Sequence, residues 1–230
     1  VHSSSFVAVW LLLWDTRLTD RGARVRLQNP FAAVSPSGLD SQVLSVLART
    51  DQFLSVQQIH ALLPESGSRA GVRISVGRFV DQGTVVERLS GRSLTYALND
   101  EHLVAGAIRQ IATSRRRLLD RMREAVAAWP VQPLSVVVFG SAVRDEMRSD
   151  SDIDVLVVMP DGVDDETISA VVDEFSSRLT RWTGNDARLL VYWEDEIEPA
   201  AVLASILDEG IHIAGDPAWL RRRIRRRSSV

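Results

Sequence analysis

The sequence predicts a mixed α+β protein in which a small helical module closed by a hairpin, a long helix and an α/β module follow one another. Three observations carry this. Helical periodicity dominates 38–82 and returns over 101–129, and β-branched apolar runs recur at 135–139, 151–158 and 187–192. Charge also changes sharply along the chain. Residues 35–100 hold six arginines and six acids, 101–129 six arginines and three acids, and 130–220 five arginines and nineteen acids. Residues 221–230 add six arginines and no acid. Blocks this different argue for separate modules with different partners. The expected boundaries are an N-terminal extension over 1–34, a first module over 35–100, a linking helix over 101–129, an α/β domain over 130–216 and an arginine-rich tail over 217–230.

Composition narrows the function. The 230 residues are 45% apolar and 25% charged, with a net charge of −3. That is an ordinary globular balance and excludes a disordered tail, a collagen-like repeat and a polytopic membrane protein. There is no cysteine, so disulfides, thiolate zinc sites and cysteine nucleophiles are excluded. The four histidines, His2, His60, His102 and His212, show no metal-ligand spacing. Lysine is absent, which removes any lysine-dependent mechanism.

Phe6 to Trp14 form the apolar run FVAVWLLLW. It is well short of the roughly 20 residues that a spanning helix needs. It also has neither the positive flank nor the small-residue cleavage site of a secretory signal. The sequence starts with Val and has no Met before Met122, so this stretch reads as an over-extended or alternative translation start, the rival being a short anchor or packing segment. No function is assigned to 1–33, and a cytoplasmic location without a membrane partner is expected.

In the first module, Leu39, Val43 and Leu47 share one helical face within 38–50. Ser55-Val56-Gln57-Gln58 reads as a capping box opening a second helix, stopped by Pro64. A third helix over 68–82 turns Val72, Val76, Phe79 and Val80 inward, and Gly83 fits the position just past its end. Two β-prone runs, 84–89 and 93–98, meet through Ser90-Gly91-Arg92 as a hairpin. Three short helices and a hairpin resemble the winged helix-turn-helix family. The resemblance implies a third helix that enters a DNA major groove, with Arg73 and Arg78 on its flanks and Arg88 and Arg92 on the wing near phosphates. A neutral module lacks the basic footprint of a DNA binder, so a protein-contact or dimerisation role stands beside it.

Residues 101–129 read as one long helix with Ile108, Ile111, Leu118, Leu119, Met122, Val126 and Trp129 on one face, and Arg115, Arg116 and Arg117 as a basic cluster. That cluster is either a solvated face or a phosphate contact. The tail from Arg221 to Arg227 either binds a phosphate backbone or an acidic partner, is a solvated end, or lies over the protein's own acidic domain.

The chemistry is concentrated between 135 and 158. Ser135–Phe139 (SVVVF) reads as a buried strand that runs directly into Gly140-Ser141. A short polar helical segment over 142–148 follows, then a second strand opened by Ser151-Asp152-Ile153-Asp154. Alternation in a strand puts Asp152 and Asp154 on one face, about 6–7 Å apart. Two carboxylates this close are costly unless a cation neutralises them. Mg²⁺ suits such a pair, completing its shell with waters and substrate phosphates. Gly140 lets a phosphate approach the backbone, and Ser141 and the amides after it can donate to phosphate oxygens.

Gly140-Ser141-Ala142-Val143-Arg144-Asp145-Glu146 followed by Ser151-Asp152-Ile153-Asp154 resembles the signature of the DNA polymerase β-like nucleotidyltransferase superfamily, in its minimal single-domain form, over about 131–216. The resemblance implies an α/β nucleotidyltransferase fold with a mixed sheet. It implies that Gly140 and Ser141 hold a nucleoside triphosphate, that Arg144 lies near its phosphates, and that Asp152 and Asp154 bind Mg²⁺ (or Mn²⁺). Asp145 stands where the family has glycine. The family's third carboxylate lies on a later strand, here 187–192, and alignment by its flanks puts Leu190 at that place. Asp186, at the strand's start, is taken as the third catalytic acid, with Glu194 as the alternative.

The expected activity is Mg²⁺-dependent transfer of a nucleoside monophosphate from a nucleoside triphosphate to an acceptor hydroxyl on a protein, an RNA or a small molecule, with release of pyrophosphate. Relatives of the minimal type include antitoxins that modify a partner toxin, which makes a toxin-like partner protein one expectation. The alternative is a DNA-binding regulator or antitoxin-like protein whose nucleotidyltransferase domain is degenerate or senses nucleotide.

Overall fold

A computed structural model describes residues 26–33, 38–144, 147, 151–198 and 200–227. The apolar run at 6–14 and part of the polar segment expected over 142–148 lie outside the described residues.

The N-terminal unit contains helix α1 (Leu39–Leu47), strand β1 (Leu54–Ser55), helices α2 (Val56–Ala61) and α3 (Arg69–Asp81), and the hairpin β2 (Val85–Ser90) and β3 (Ser93–Leu98). The capping box forms as the sequence predicts: the Ser55 hydroxyl accepts from the Gln58 amide, and the Gln58 side chain accepts from the Ser55 amide at 2.9 Å. Ser68 caps α3 and Gly83 takes φ 74° beyond its end. The strands form a three-stranded antiparallel sheet in the order β1-β3-β2. Val43, Leu47, Ile59, Val72, Val76, Phe79 and Val85 make its core.

The long helix expected over 101–129 is two helices, α4 (Ala105–Ala112) and α5 (Ser114–Ala127), broken at Thr113. There the hydroxyls of Thr113 and Ser114 donate to the carbonyls of Gln110 and Ile111, giving the backbone local partners that compete with a continuous helix. The break divides the two cores. Ala105, Ile108 and Ala112 of α4 pack with Ala48 and Leu98 of the N-terminal unit. Leu118, Met122, Val126 and Trp129, on and just after α5, pack into the C-terminal core.

That core is built on a four-stranded mixed sheet of β4 (Ser135–Phe139), β5 (Ile153–Met159), β6 (Ala187–Trp193) and β7 (Ile211–Gly215), in the order β6-β5-β4-β7. β4 is antiparallel to both its neighbours, and β5 and β6 are parallel. Alternation gives the sheet two apolar faces. Val136, Val138, Ile153, Val155, Val157 and Met159 face α5 and helix α6 (Asp165–Thr183), where Trp129 meets Phe175 edge-on at 5.5 Å. Val137, Leu156 and Val158 face helices α7 (Ala201–Glu209) and α8 (Trp219–Arg227).

Two terminal expectations change. The arginine-rich tail begins as α8, because Leu220 and Ile224 lie one turn apart and anchor it to the second face. Of the readings open for it, lying over the acidic domain describes 219–227. Residues 26–33, given no role from sequence, join the two units: Leu27 packs in the C-terminal core and Phe31 beside α4. The Gln28 side chain donates to the Met147 carbonyl at 2.6 Å, while the Gln28 backbone carbonyl accepts from the side chains of Ser45 and Arg49 of the N-terminal unit. The segment is largely buried and carries few features of periodicity, so composition alone could not place it.

Candidate active site

The end of β4 sets the site. Phe139 is extended, and Gly140 then turns the chain at φ 75° into a 3-10 turn over Gly140–Ala142, closed by the Val143 amide on the Gly140 carbonyl at 3.1 Å. Glycine is required here twice over. Its φ is in the left-handed region, and a Cβ would stand 2.5 Å from Oδ2 of Asp154. The Gly-Ser turn and the second aspartate are therefore in direct contact.

Asp152 precedes β5 and Asp154 lies within it, alternating with the buried Ile153 and Val155, so both carboxylates belong to the α7–α8 face. Asp154 is half-buried. Burial raises its pKa above the ordinary aspartate value; Arg188 opposes the shift, the charge of Asp152 adds to it, and Arg144 opposes it more weakly. The Asp152 carboxylate accepts from the Arg188 guanidinium at 2.6 Å. Arg188 is the register partner of Asp154 on β6, and neighbours in register on parallel strands share a face.

Supporting groups come from three other elements. Arg144, exposed on the turn, pairs at 3.1 Å with Glu209 at the end of α7. Arg115 of α5 donates to the Val143 carbonyl at 3.0 Å, which brings one member of the basic cluster to the Gly-Ser turn. Fully buried Asn185 donates to the Ser151 carbonyl at 2.9 Å, and the Asp186 carbonyl accepts from the Ile153 amide at 2.8 Å; both fix the approach to Asp152. Arg115 had a sequence signal in its cluster. Asn185 had none, because its partner is 34 residues away.

Asp186 is exposed just before β6, and among the described residues no three acids or histidines gather as a metal site. Leu190 pairs with Leu156, two residues beyond Asp154, so the position level with Asp154 is held by Arg188. Asp152 and Asp154 still fit one hard cation: two carboxylate donors share one face, and the missing Cβ of Gly140 lets the Asp154 carboxylate lie against the turn.

The four arginines expected at DNA part into two pairs. Arg78 is bound to Asp40 at 2.6 Å, and Arg88 lies over the Phe53 ring at 4.0 Å. Arg73 and Arg92 are exposed, as are Arg78 and Arg88. Around them stand exposed apolar side chains: Ile74 on α3, and the cross-strand pair Leu89 and Leu94 on the hairpin. Among the described residues no helix is long and apolar enough to cross a membrane.

Residues 116–207 match the nucleotidyltransferase domain family, from the start of α5 to the end of α7, and the mixed sheet is compatible with that fold. The C-terminal module thus resembles a nucleotidyltransferase domain over residues 116–207. No curated protein matches the sequence. Solved structures with similarity include a toxin–antitoxin with AMP-PNP, at 15% identity and TM-score 0.38, covering 48% of this chain and 84% of that one. Another is the tri-AMPylated Shewanella oneidensis HEPN toxin in complex with MNT antitoxin, at 14% identity and TM-score 0.36, covering 50% and 84%. The toxin–antitoxin MntA-HepT matches at 14% identity and TM-score 0.35, covering 50% and 84%.

Proposed function

We propose that the chain is a Mg²⁺-dependent nucleotidyltransferase that moves a nucleoside monophosphate from a nucleoside triphosphate to an acceptor hydroxyl. The observation that carries the proposal is the contact between Asp154 and the Gly140-Ser141 turn, with Asp152 on the same face. In the reaction the acceptor oxygen bonds to the α-phosphorus, the bond from that phosphorus to the bridging oxygen of the β-phosphate breaks, and pyrophosphate leaves with the electron pair. The hydroxyl proton passes to solvent or to a carboxylate of the site.

Asp152 and Asp154 are the residues that would hold the metal. A bound divalent ion would supply charge neutralisation at the transferring phosphate. Gly140 would let a phosphate approach the backbone, and the Ser141 hydroxyl would donate to one. Arg144, held by Glu209, and Arg115, held on Val143, put positive charge beside the turn. Asn185 acts through the Ser151 carbonyl as a positioning residue.

The N-terminal unit reads as a winged helix, supported by its element order and its β1-β3-β2 sheet. The ion pair of Arg78 and the stacking of Arg88, beside exposed Ile74, Leu89 and Leu94, favour a partner protein over DNA as what it meets. A partner that carries the acceptor hydroxyl would unite the two modules. The second reading, a nucleotide sensor without turnover, is favoured by Arg188 standing level with Asp154.

Calorimetric titration of each nucleoside triphosphate with and without Mg²⁺, alongside pyrophosphate release, tests the proposal. Mg²⁺-dependent binding with release is expected, reduced about a thousandfold in Asp152→Asn and Asp154→Asn, since the lost charge stabilisation is several kcal/mol. Binding without release would support the sensor, and unchanged release in the double variant would remove the site.

A further inference from the structure

β5 lies between β4 and β6, so Asp154 has one neighbour on each side: the end of β4, where Phe139 is its register partner and Gly140 follows, and Arg188 on β6. On the first side the Asp154 carboxylate lies directly against Gly140, which lacks the Cβ that would displace it. The second side carries a fixed positive charge. The guanidinium reaches Asp152 at 2.6 Å and acts electrostatically on Asp154 as well, so it serves both carboxylates of the pair.

Two like charges a few ångströms apart repel strongly in a partly buried site. A divalent cation placed on the β6 side of the pair would meet the guanidinium, and no third carboxylate gathers there among the described residues to offset the repulsion. The same cation on the Gly140 side would meet the carboxylate oxygen of Asp154 that faces the turn. Arginine is also suited to the work of a cation at a phosphate. It stays ionised at any working pH, and its planar fork matches two phosphate oxygens at once. The Arg188 side chain is 51% exposed, so it lies within reach of a phosphate arriving from solvent.

We propose that Arg188 takes the place of a second divalent cation, so that this nucleotidyltransferase site takes up one Mg²⁺ or Mn²⁺ with its nucleotide instead of two. The inference rests on the nucleotidyltransferase reading above and adds to it the ion count and the residue that sets it. Arg188 is then a phosphate-facing residue of the site as well as the partner of Asp152.

The test counts ions directly and does not require turnover. The full chain is loaded with one equivalent of a non-hydrolysable nucleoside triphosphate analogue and titrated with Mn²⁺, with free Mn²⁺ followed by electron paramagnetic resonance. The expected result is one bound Mn²⁺ per chain, rising to two in Arg188→Asp, which would put a carboxylate level with Asp154. Arg188→Ala serves where the aspartate variant does not fold. It should bind Mn²⁺ without nucleotide at least about tenfold more tightly than the original chain, because the two carboxylates lose their resident cation. Two Mn²⁺ in the unmodified chain, or one in a folded Arg188→Asp protein, would overturn the proposal. Failure of the underlying reading looks different: no Mn²⁺ would bind with nucleotide, or Asp152→Asn with Asp154→Asn would bind as much as the unmodified chain.

Discussion

The two ends of the four-stranded sheet carry the same kinds of residue in opposite circumstances. At the end where β4 finishes, Asp154 is half-buried and its pKa is raised, chiefly by burial. At the other end, where β7 finishes, Asp216 is exposed and its pKa is lowered, chiefly by its hydrogen bond from Arg222. The second arrangement is a clamp. Asp216 holds the start of α8, and one turn of helix further Arg223 donates to the Glu194 carbonyl at 2.9 Å. The first arrangement holds a carboxylate in a state that folding alone does not favour. Sites keep such strain where chemistry uses it. The contrast separates function from architecture even though both ends contain aspartate, arginine and glycine.

The glycines of the two ends offer the strongest way to sharpen this difference. Gly140 and Gly215 both have positive φ, and both lack space for a Cβ. At Gly215 the obstacle is backbone, the Leu134 carbonyl; at Gly140 it is the end of the Asp154 side chain. Backbone cannot step aside, whereas a side chain can turn away. Gly215→Ala should therefore cost about 2–4 kcal/mol of stability, with turnover per folded molecule unchanged. Gly140→Ala should cost about 1–2 kcal/mol for its left-handed conformation and lose nearly all nucleotidyl transfer, because the displaced carboxylate is the one that matters. Denaturant unfolding and pyrophosphate release, measured on both variants, decide it. Equal activity loss in the two would dissolve the distinction between the ends.

A middling effect is expected at Arg115. Its guanidinium holds the Val143 carbonyl and borders the turn. Arg115→Ala should raise the KM for the nucleoside triphosphate about tenfold, the loss of one charge-assisted hydrogen bond, with little change in kcat. A fall in kcat at constant KM would instead place Arg115 at the reacting phosphate.

How much of this was legible in the sequence depends on distance along the chain. The Ser55–Gln58 capping box, the Gly83 helix end and the hairpin are local devices, and all form where the sequence predicts them. The Gly140-Ser141 turn and the Asp152–Asp154 pair were equally plain, since each is set by a few adjacent residues. The contents of the site beyond them were not. Arg188 meets the pair only through the parallel register of β5 and β6, and a shift of two residues in that register would have put Leu190 there, as the alignment suggested. Asn185 and Gln28 act across the fold and carry no periodic signal. The break at Thr113 was written in the Thr-Ser pair, but the unbroken apolar spacing across it concealed two faces that serve two cores. In α8 the run of arginines drew attention away from Leu220 and Ile224, which decide its position.

The smallest effect is a sign, and it tests the comparison most directly. For Asp154 the folded-state pKa is above the unfolded value, so ionisation costs stability as pH rises from the ordinary aspartate value, about 3.9, through the raised one. For Asp216 the folded pKa is below the unfolded value, so its contribution is present above about 3.9 and is lost as pH falls through the lowered one. Without metal or nucleotide, Asp154→Asn should then raise the Tm at neutral pH and leave it unchanged in acid. Asp216→Asn should lower the Tm at neutral pH, and that difference should also vanish in acid. Melting curves of the two variants against the unmodified chain, from neutral pH down to about pH 3, read both signs. If Asp154→Asn lowers the Tm at neutral pH, the attraction of Arg188 outweighs the burial of the carboxylate, and that end of the sheet is a clamp like the other.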